Sequence, residues 1–186
     1  AISAARTTKH ESPALRVLAF RPFFLAASVW SALALALWIV RFITGTGLPS
    51  RFDPLTWHIH EMLFGFVTAA IAGFMLTAIP TWTGRRPIQG LPLAGLIVLW
   101  LLGRVACLLS ALIPFWMAAA IDLAFPWVFF LVVAREIVGA RNWRNLAMPA
   151  PIAVLGLADL LMYLENADFG IAAGLGQFDA LAAAPV

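Results

Sequence analysis

The sequence predicts an all-helical integral membrane protein, a bundle of five transmembrane helices, and three observations carry that expectation. Of 186 residues, 63% are hydrophobic and only 11% charged, where a soluble domain carries about 25% charged residues. A mean hydropathy of +0.94 with 12% aromatics excludes a disordered chain. Five apolar runs reach the length of roughly 20 residues that a helix needs to cross a bilayer core about 30 Å thick.

The runs follow one another with breakers between them. The first spans Phe23 to Ile43, with Arg41 near its end. It is too long for the apolar region of a cleaved signal and lacks a small-residue cleavage site, so it is expected to be retained. A second runs from about Trp57 to Ile79, entered through Asp53 as N-cap and Pro54 at the first helical position, a good helix start. The third covers Leu91 to Leu112, the fourth Phe115 to Val133 and the fifth Leu146 to Leu164. Gly45-Thr46-Gly47-Leu48-Pro49, the stretch from Pro80 to Pro92, Pro114, and the polar Arg141-Asn142-Trp143-Arg144-Asn145 separate them. Residues 1–22 form a basic arm ahead of the bundle, and residues 165–186 a Gly/Ala-rich tail too short and too weakly apolar to span. An odd number of spans ending in small residues suggests part of a longer protein. No repeat at a fixed period and no pair of broken helices is visible.

Positive charge is retained on the cytoplasmic side of a membrane, and it divides unequally here. Arg6, Lys9, Arg16 and Arg21 in the arm, Arg85 and Arg86, then Arg135, Arg141 and Arg144 fall on one side, and only Arg41 and Arg51 on the other. The expected orientation is therefore N-terminus cytoplasmic and C-terminus periplasmic, in the inner membrane. Such scattering also speaks against a nucleic-acid partner despite a net charge of +3. A single cysteine, Cys107, excludes an intrachain disulfide and a four-cysteine zinc site.

A charge near the middle of a membrane helix costs on the order of 2.5–3.5 kcal/mol, so each one wants a partner or a task. The set comprises Arg41, His58, His60, Glu61, Arg104, Asp122 and Asp159. Under the expected orientation all seven fall toward the outer leaflet, where one polar pocket can draw on them. The plainer expectation is that Arg104 pairs with Asp122 as a structural bridge across a tight turn.

The sharpest local signal is Asp53-Pro54-Leu55-Thr56-Trp57-His58-Ile59-His60-Glu61-Met62. A regular helix turns about 100° per residue, placing His58 beside Glu61, Met62 and Gly65, and His60 with Phe64, Val67 and Ile71. Both histidines then cannot bind one metal. If the helix start were unwound, His58, His60 and Met62 would share a face and make a Cu(I) set. Gly65, Ala69 and Gly73 form a small-residue stripe that admits another helix, or a flat macrocycle, close to the backbone. Histidine is the usual axial ligand of haem iron and a good copper ligand. His10, in the arm, is expected to be solvated. A Gly-rich phosphate loop, a CxxCH attachment site, an HExxH helix and a serine nucleophile elbow are all absent.

Four segments together, Phe20-Arg21-Pro22-Phe23-Phe24, the run from Trp57 to Phe66, the run from Ala72 to Gly84 and Arg141 to Leu146, resemble the NnrS family. The likeness covers roughly residues 15 to 165, and longer members match this chain with their N-terminal half. NnrS proteins are polytopic bacterial inner-membrane proteins containing haem and copper, associated with denitrification and protection from nitric oxide. The resemblance implies metal ligands among His58 and His60, with Glu61 and Met62 close by.

The expected function is thus a haem b, and also copper, binding membrane protein of the nitric-oxide response or of respiratory electron transfer. His58 or His60 serves as axial ligand, and Arg41, Arg51 and Arg104 are partners for haem propionates because the guanidinium fork matches carboxylates. Glu61, Asp122 and Asp159 relay protons or fix ligand tautomers. The alternative is a metal-free structural subunit packed beside a larger respiratory or photosynthetic membrane complex, or beside further copies of itself. Half of a proton-coupled transporter ranks below both.

Overall fold

The computed structural model describes residues 21–182, with side chains through residue 167. Residues 1–20 of the basic arm, with His10, and the side chains of Asp168 and Asp179 lie outside the described residues, while Arg21 and Pro22 already belong to the first helix.

Five helices, each long and apolar enough to cross a membrane, make up the described chain, which contains no strand. Helix α1 is Arg21–Thr44. Helix α2 covers Pro54–Thr83 and is regular over Pro54–His60 and Thr68–Thr83 but π-helical over Glu61–Val67. Helices α3, α4 and α5 are Leu91–Leu108, Phe115–Gly139 and Ala150–Ala182. The five expected spans are therefore present, and α5 runs on through most of the stretch expected as a tail. Gly and Ala there offer no interruption before Pro185, and Ala is the strongest helix former.

Helix ends follow local chemistry. Asp53 Oδ1 accepts the main-chain N–H groups of Leu55 and Thr56 at 3.0 and 3.1 Å, with Pro54 at the first position, so the entry to α2 satisfies two of its orphan donors. Partial burial works against ionisation of Asp53, but the Thr56 and Leu55 hydrogen bonds and the nearby Arg41 charge outweigh it and hold its carboxyl below the ordinary value. Gly84 ends α2 in the left-handed conformation at φ 67°, its N–H bonded to Pro80 O at 2.9 Å, as a C-terminal glycine does.

The connections pair up at the two ends of the bundle. Ala111 N–H donates to Pro49 O at 3.0 Å and Arg51 N–H to Ser110 Oγ at 2.9 Å, so the α1–α2 and α3–α4 connections meet. At the opposite end Asn142 Nδ2 donates to Trp82 O at 2.5 Å and Arg85 pairs with Glu136 at 2.9 Å, joining the α2–α3 and α4–α5 connections. Successive spans thus run antiparallel, as the alternation of basic residues requires.

Two apolar cores are stacked along the bundle. Phe23, Ala69, Leu76, Trp100, Phe125, Phe129 and Ile152 belong to one; Ala34, Phe52, Trp57, Cys107, Phe115 and Tyr163 belong to the other. On every helix a polar or amphipathic residue marks the change from one core to the next: Trp30 on α1, His60 and Glu61 on α2, Arg104 on α3, Asp122 on α4 and Asp159 on α5. Seven residues separate Asp53 from His60, which at 1.5 Å per residue sets this layer roughly 10 Å below the α2 N-terminus.

Candidate functional site

The layer between the cores is one connected network. His60, Glu61 and Asp122 have no exposure, and Arg104 and Asp159 have 2% and 1%. His60 Nε2 lies 2.9 Å from Asp159 Oδ1 and 3.3 Å from Asp122 Oδ2. On the other edge of the ring, Nδ1 faces Cys107 Sγ at 3.4 Å and Glu61 Oε1 at 3.5 Å. Arg104 reaches in both directions, donating to Glu61 Oε2 at 3.0 Å and to Asp122 Oδ1. Trp30 Nε1 also donates to Glu61 Oε2, at 2.7 Å, and the Tyr163 hydroxyl donates to Asp122 Oδ2 at 3.0 Å. All five helices therefore contribute a polar group.

Glu61 opens the π-helical stretch, and the backbone at His60 and Glu61 is still that of a right-handed helix. His60 and Glu61, adjacent in sequence, nonetheless address the same network, Nδ1 of one facing Oε1 of the other. Close helix approach does the rest. A Cβ on Gly65 would stand 2.9 Å from both Glu61 Oε2 and Trp30 Nε1 and 3.0 Å from Arg104 Nη1, and one on Gly103 would stand 2.6 Å from Asp122 Oδ1. Trp100 Nε1 donates to Gly65 O at 3.0 Å, tying α3 to the π segment.

Aromatic rings enclose the imidazole of His60. Phe52 stacks on it at 5.1 Å between centroids, while Phe64 and Tyr163 meet it edge-on at 5.1 and 5.5 Å. Two triads of donor-bearing residues converge there, His60 with Glu61 and Cys107, and His60 with Asp122 and Asp159; within each triad the donor atoms lie within 4.8 Å of one another. Glu61 Oε1 and Asp159 Oδ2 are buried without a hydrogen-bond partner, an unusual cost for a carboxylate away from water.

Of the residues singled out in the sequence, His60, Glu61, Arg104, Asp122 and Asp159 are brought together. His58 is not among them. It is half-buried and stacks on Trp38, with centroids 4.7 Å apart, and its Nδ1 is buried without a partner. The start of α2 is helical rather than unwound, so His58, His60 and Met62 do not form one face; Met62 packs against the second core. Arg41 is half-buried with Nη1 unpartnered, and Arg51 lies 5.7 Å from the centroid of Phe115. The small-residue stripe is filled by α1, with Trp30 at Gly65 and the Phe24 ring at Gly73.

Cys107 and Tyr163 belong to the network and carry no sequence motif. Each nonetheless stands one helical turn beyond an intramembrane charge, Cys107 three residues after Arg104 and Tyr163 four after Asp159, on the same helix face.

The family model described as NnrS protein matches residues 14–184. No curated protein and no solved structure matches the chain.

Proposed function

The chain belongs to the NnrS family, a haem- and copper-associated membrane family linked to the nitric-oxide response, and from that premise we propose a specific reading. The protein is a multi-pass protein of the bacterial inner membrane, oriented with the Arg85 and Arg144 end toward the cytoplasm, whose metal chemistry is centred on His60. Labelling from outside the cell of a Gly47→Cys variant, with none of Arg144→Cys, tests the orientation; the reverse pattern inverts it.

One observation supports the metal centre above others. Three buried carboxylates, Glu61, Asp122 and Asp159, face a single buried guanidinium, and two of their oxygens have no hydrogen-bond partner. With the three acids ionised and His60 neutral the layer is short of positive charge, which a cation beside His60 would supply. The residues fit a bare ion there and do not fit a haem, because the imidazole is wholly buried between Phe52, Phe64 and Tyr163 and both ring nitrogens already face side chains. Copper bound at this position supplies one-electron chemistry. The chain's own groups would then hold the site: Asp159 accepts a hydrogen bond from the Nε2–H of His60, Arg104 and Trp30 fix Glu61, and the three rings exclude water.

The haem of this reading falls to His58, whose Nδ1 lacks a partner. Arg41 and Arg51 are the guanidinium groups left for propionates, since Arg104 is committed to Glu61 and Asp122.

Metal content and an absorption spectrum of the purified protein test the reading. Copper lost in His60→Ala but kept in His58→Ala, with a Soret band lost only in His58→Ala, is the expected pattern. Wild-type protein that is colourless and metal-free overturns it. That second outcome belongs to a structural subunit, which the two Arg104 bridges favour because they neutralise Asp122 and part of Glu61 without any ion.

A further inference from the structure

Resting on the proposal of a metal centre at His60, the geometry points to which face of the imidazole holds the ion: we infer that His60 Nδ1, Glu61 Oε1 and Cys107 Sγ are the donors of a thiolate-containing site for Cu(I).

The two edges of the His60 ring differ in kind. On the Nε2 edge, Asp159 Oδ1 stands at 2.9 Å, an ordinary hydrogen-bond length. Asp122 is already engaged by Arg104 through Oδ1 and by the Tyr163 hydroxyl through Oδ2. Both oxygens that face Nε2 are thus engaged, and the oxygen left over on that edge is Asp159 Oδ2. On the Nδ1 edge the Cys107 contact is a long sulfur hydrogen bond and the facing carboxylate oxygen is itself unengaged. Glu61 Oε1 stands at 3.5 Å and Cys107 Sγ at 3.4 Å, and Oε1 is fully buried with no hydrogen-bond partner. Bonds of about 2.0–2.3 Å from one ion to nitrogen, oxygen and sulfur set neighbouring ligand atoms roughly 3.3–3.7 Å apart. The two spacings from Nδ1 fall in that range, and all three donor atoms lie within 4.8 Å of one another.

The surroundings support each donor in the way metal ligands are supported. A metal-bound histidine typically donates its other ring N–H to a carboxylate, which fixes the tautomer that leaves the ligating nitrogen bare. Asp159 is that carboxylate. Ligating carboxylates are themselves hydrogen-bonded, and Glu61 receives Trp30 and Arg104 on Oε2 alone, which orients Oε1 toward His60 and Cys107. Cys107 has no exposure and belongs to the apolar core with Phe52, Trp57 and Phe115, so the thiolate meets no water.

The donor set selects the ion. Thiolate is soft and favours Cu(I) or zinc, and imidazole suits both. A structural zinc site takes four protein ligands and a catalytic one keeps water in its fourth position; the three donors here lie behind aromatic rings with no exposure, so the assignment is to Cu(I), which accepts three.

The test is a Cu(I) competition titration of the full chain in detergent against bicinchoninate, on wild type, His60→Ala, Cys107→Ser and Glu61→Gln. One Cu(I) per chain in wild type and affinity weakened about tenfold or more in Cys107→Ser and Glu61→Gln support the site. Wild-type affinity retained in Cys107→Ser, with loss in His60→Ala, overturns the donor set while leaving a metal centre at His60. Failure of the wild type to bind Cu(I) overturns both. A readout independent of the variants is Cd(II) titration of wild type. A sulfur-to-cadmium charge-transfer band saturating at one equivalent supports ligation by Cys107, and its absence overturns it.

Discussion

His60 Nε2 and Asp159 Oδ1 are 2.9 Å apart across 99 positions of sequence, tying the first turns of α2 to the third turn of α5. The contact fixes which imidazole nitrogen carries the proton and so which one is left to act as a base or ligand. Asp159→Asn keeps the size of the side chain but can present an amide N–H in place of a carboxylate oxygen. We expect it to weaken copper binding about 10–100-fold with helix content by circular dichroism unchanged. Equal copper affinity in the variant would remove Asp159 from this role.

Arg104 is the keystone of the layer, because among the described residues it alone supplies a guanidinium to two buried acids on different helices. Removing one partner of a buried charge pair leaves the others uncompensated and costs about 3–5 kcal/mol. Arg104→Met is therefore expected to lower unfolding stability in mixed micelles by that amount. The double variant Arg104→Met with Asp122→Asn should recover part of the loss. Strict additivity of the two substitutions would contradict a direct pairing.

Five spans were legible in the sequence because each is a long apolar run bounded by Gly, Pro or, between the fourth and fifth, the polar Arg141–Asn145 stretch, and the Arg104–Asp122 bridge because two opposite charges flank one tight turn. The membership of Asp159 was legible only through depth and orientation. A helical wheel set His60 and Glu61 on different faces, yet their side chains meet in one network, and the π winding that begins at Glu61 carries no mark in the sequence. Cys107 carried information only as the cysteine that excludes a disulfide, yet its spacing from Arg104 set it on the polar face. The separation of His58 from His60 follows from regular winding over Pro54–His60, which the Asp53 and Pro54 start already indicated.

Glycine substitutions read out the close approach of helices. Gly65→Ala and Gly103→Ala each force a methyl group against the charged network and are expected to destabilise by about 1–3 kcal/mol, as overpacking does. Gly95, on the same helix as Gly103, has nothing within 4 Å of an added Cβ, so Gly95→Ala is expected to be neutral or stabilising by up to about 1 kcal/mol. Thermal unfolding of the three variants separates the two classes. Equal effects at all three positions would argue against the packing described.

Asp53 gives the entry of α2 a dependence on pH. Its folded-state carboxyl titrates below the ordinary value of 3.8, so the ionised cap adds stability that is complete above that value and is lost as pH falls through the lower, folded-state one. Asp53→Ala is expected to cost about 1 kcal/mol at neutral pH and progressively less in acid. Asp53→Asn keeps a cap and should abolish the acid-dependent part. A stability difference between wild type and Asp53→Ala that stays constant down to pH 2 would contradict the assignment.

X-ray absorption at the copper edge of the purified, reduced wild-type protein tests the central claim most directly. The account predicts copper with a low coordination number, one sulfur neighbour and nitrogen or oxygen completing the shell, and loss of the sulfur neighbour in Cys107→Ser. A first shell built only of nitrogen and oxygen, or protein holding no copper at all, would contradict it.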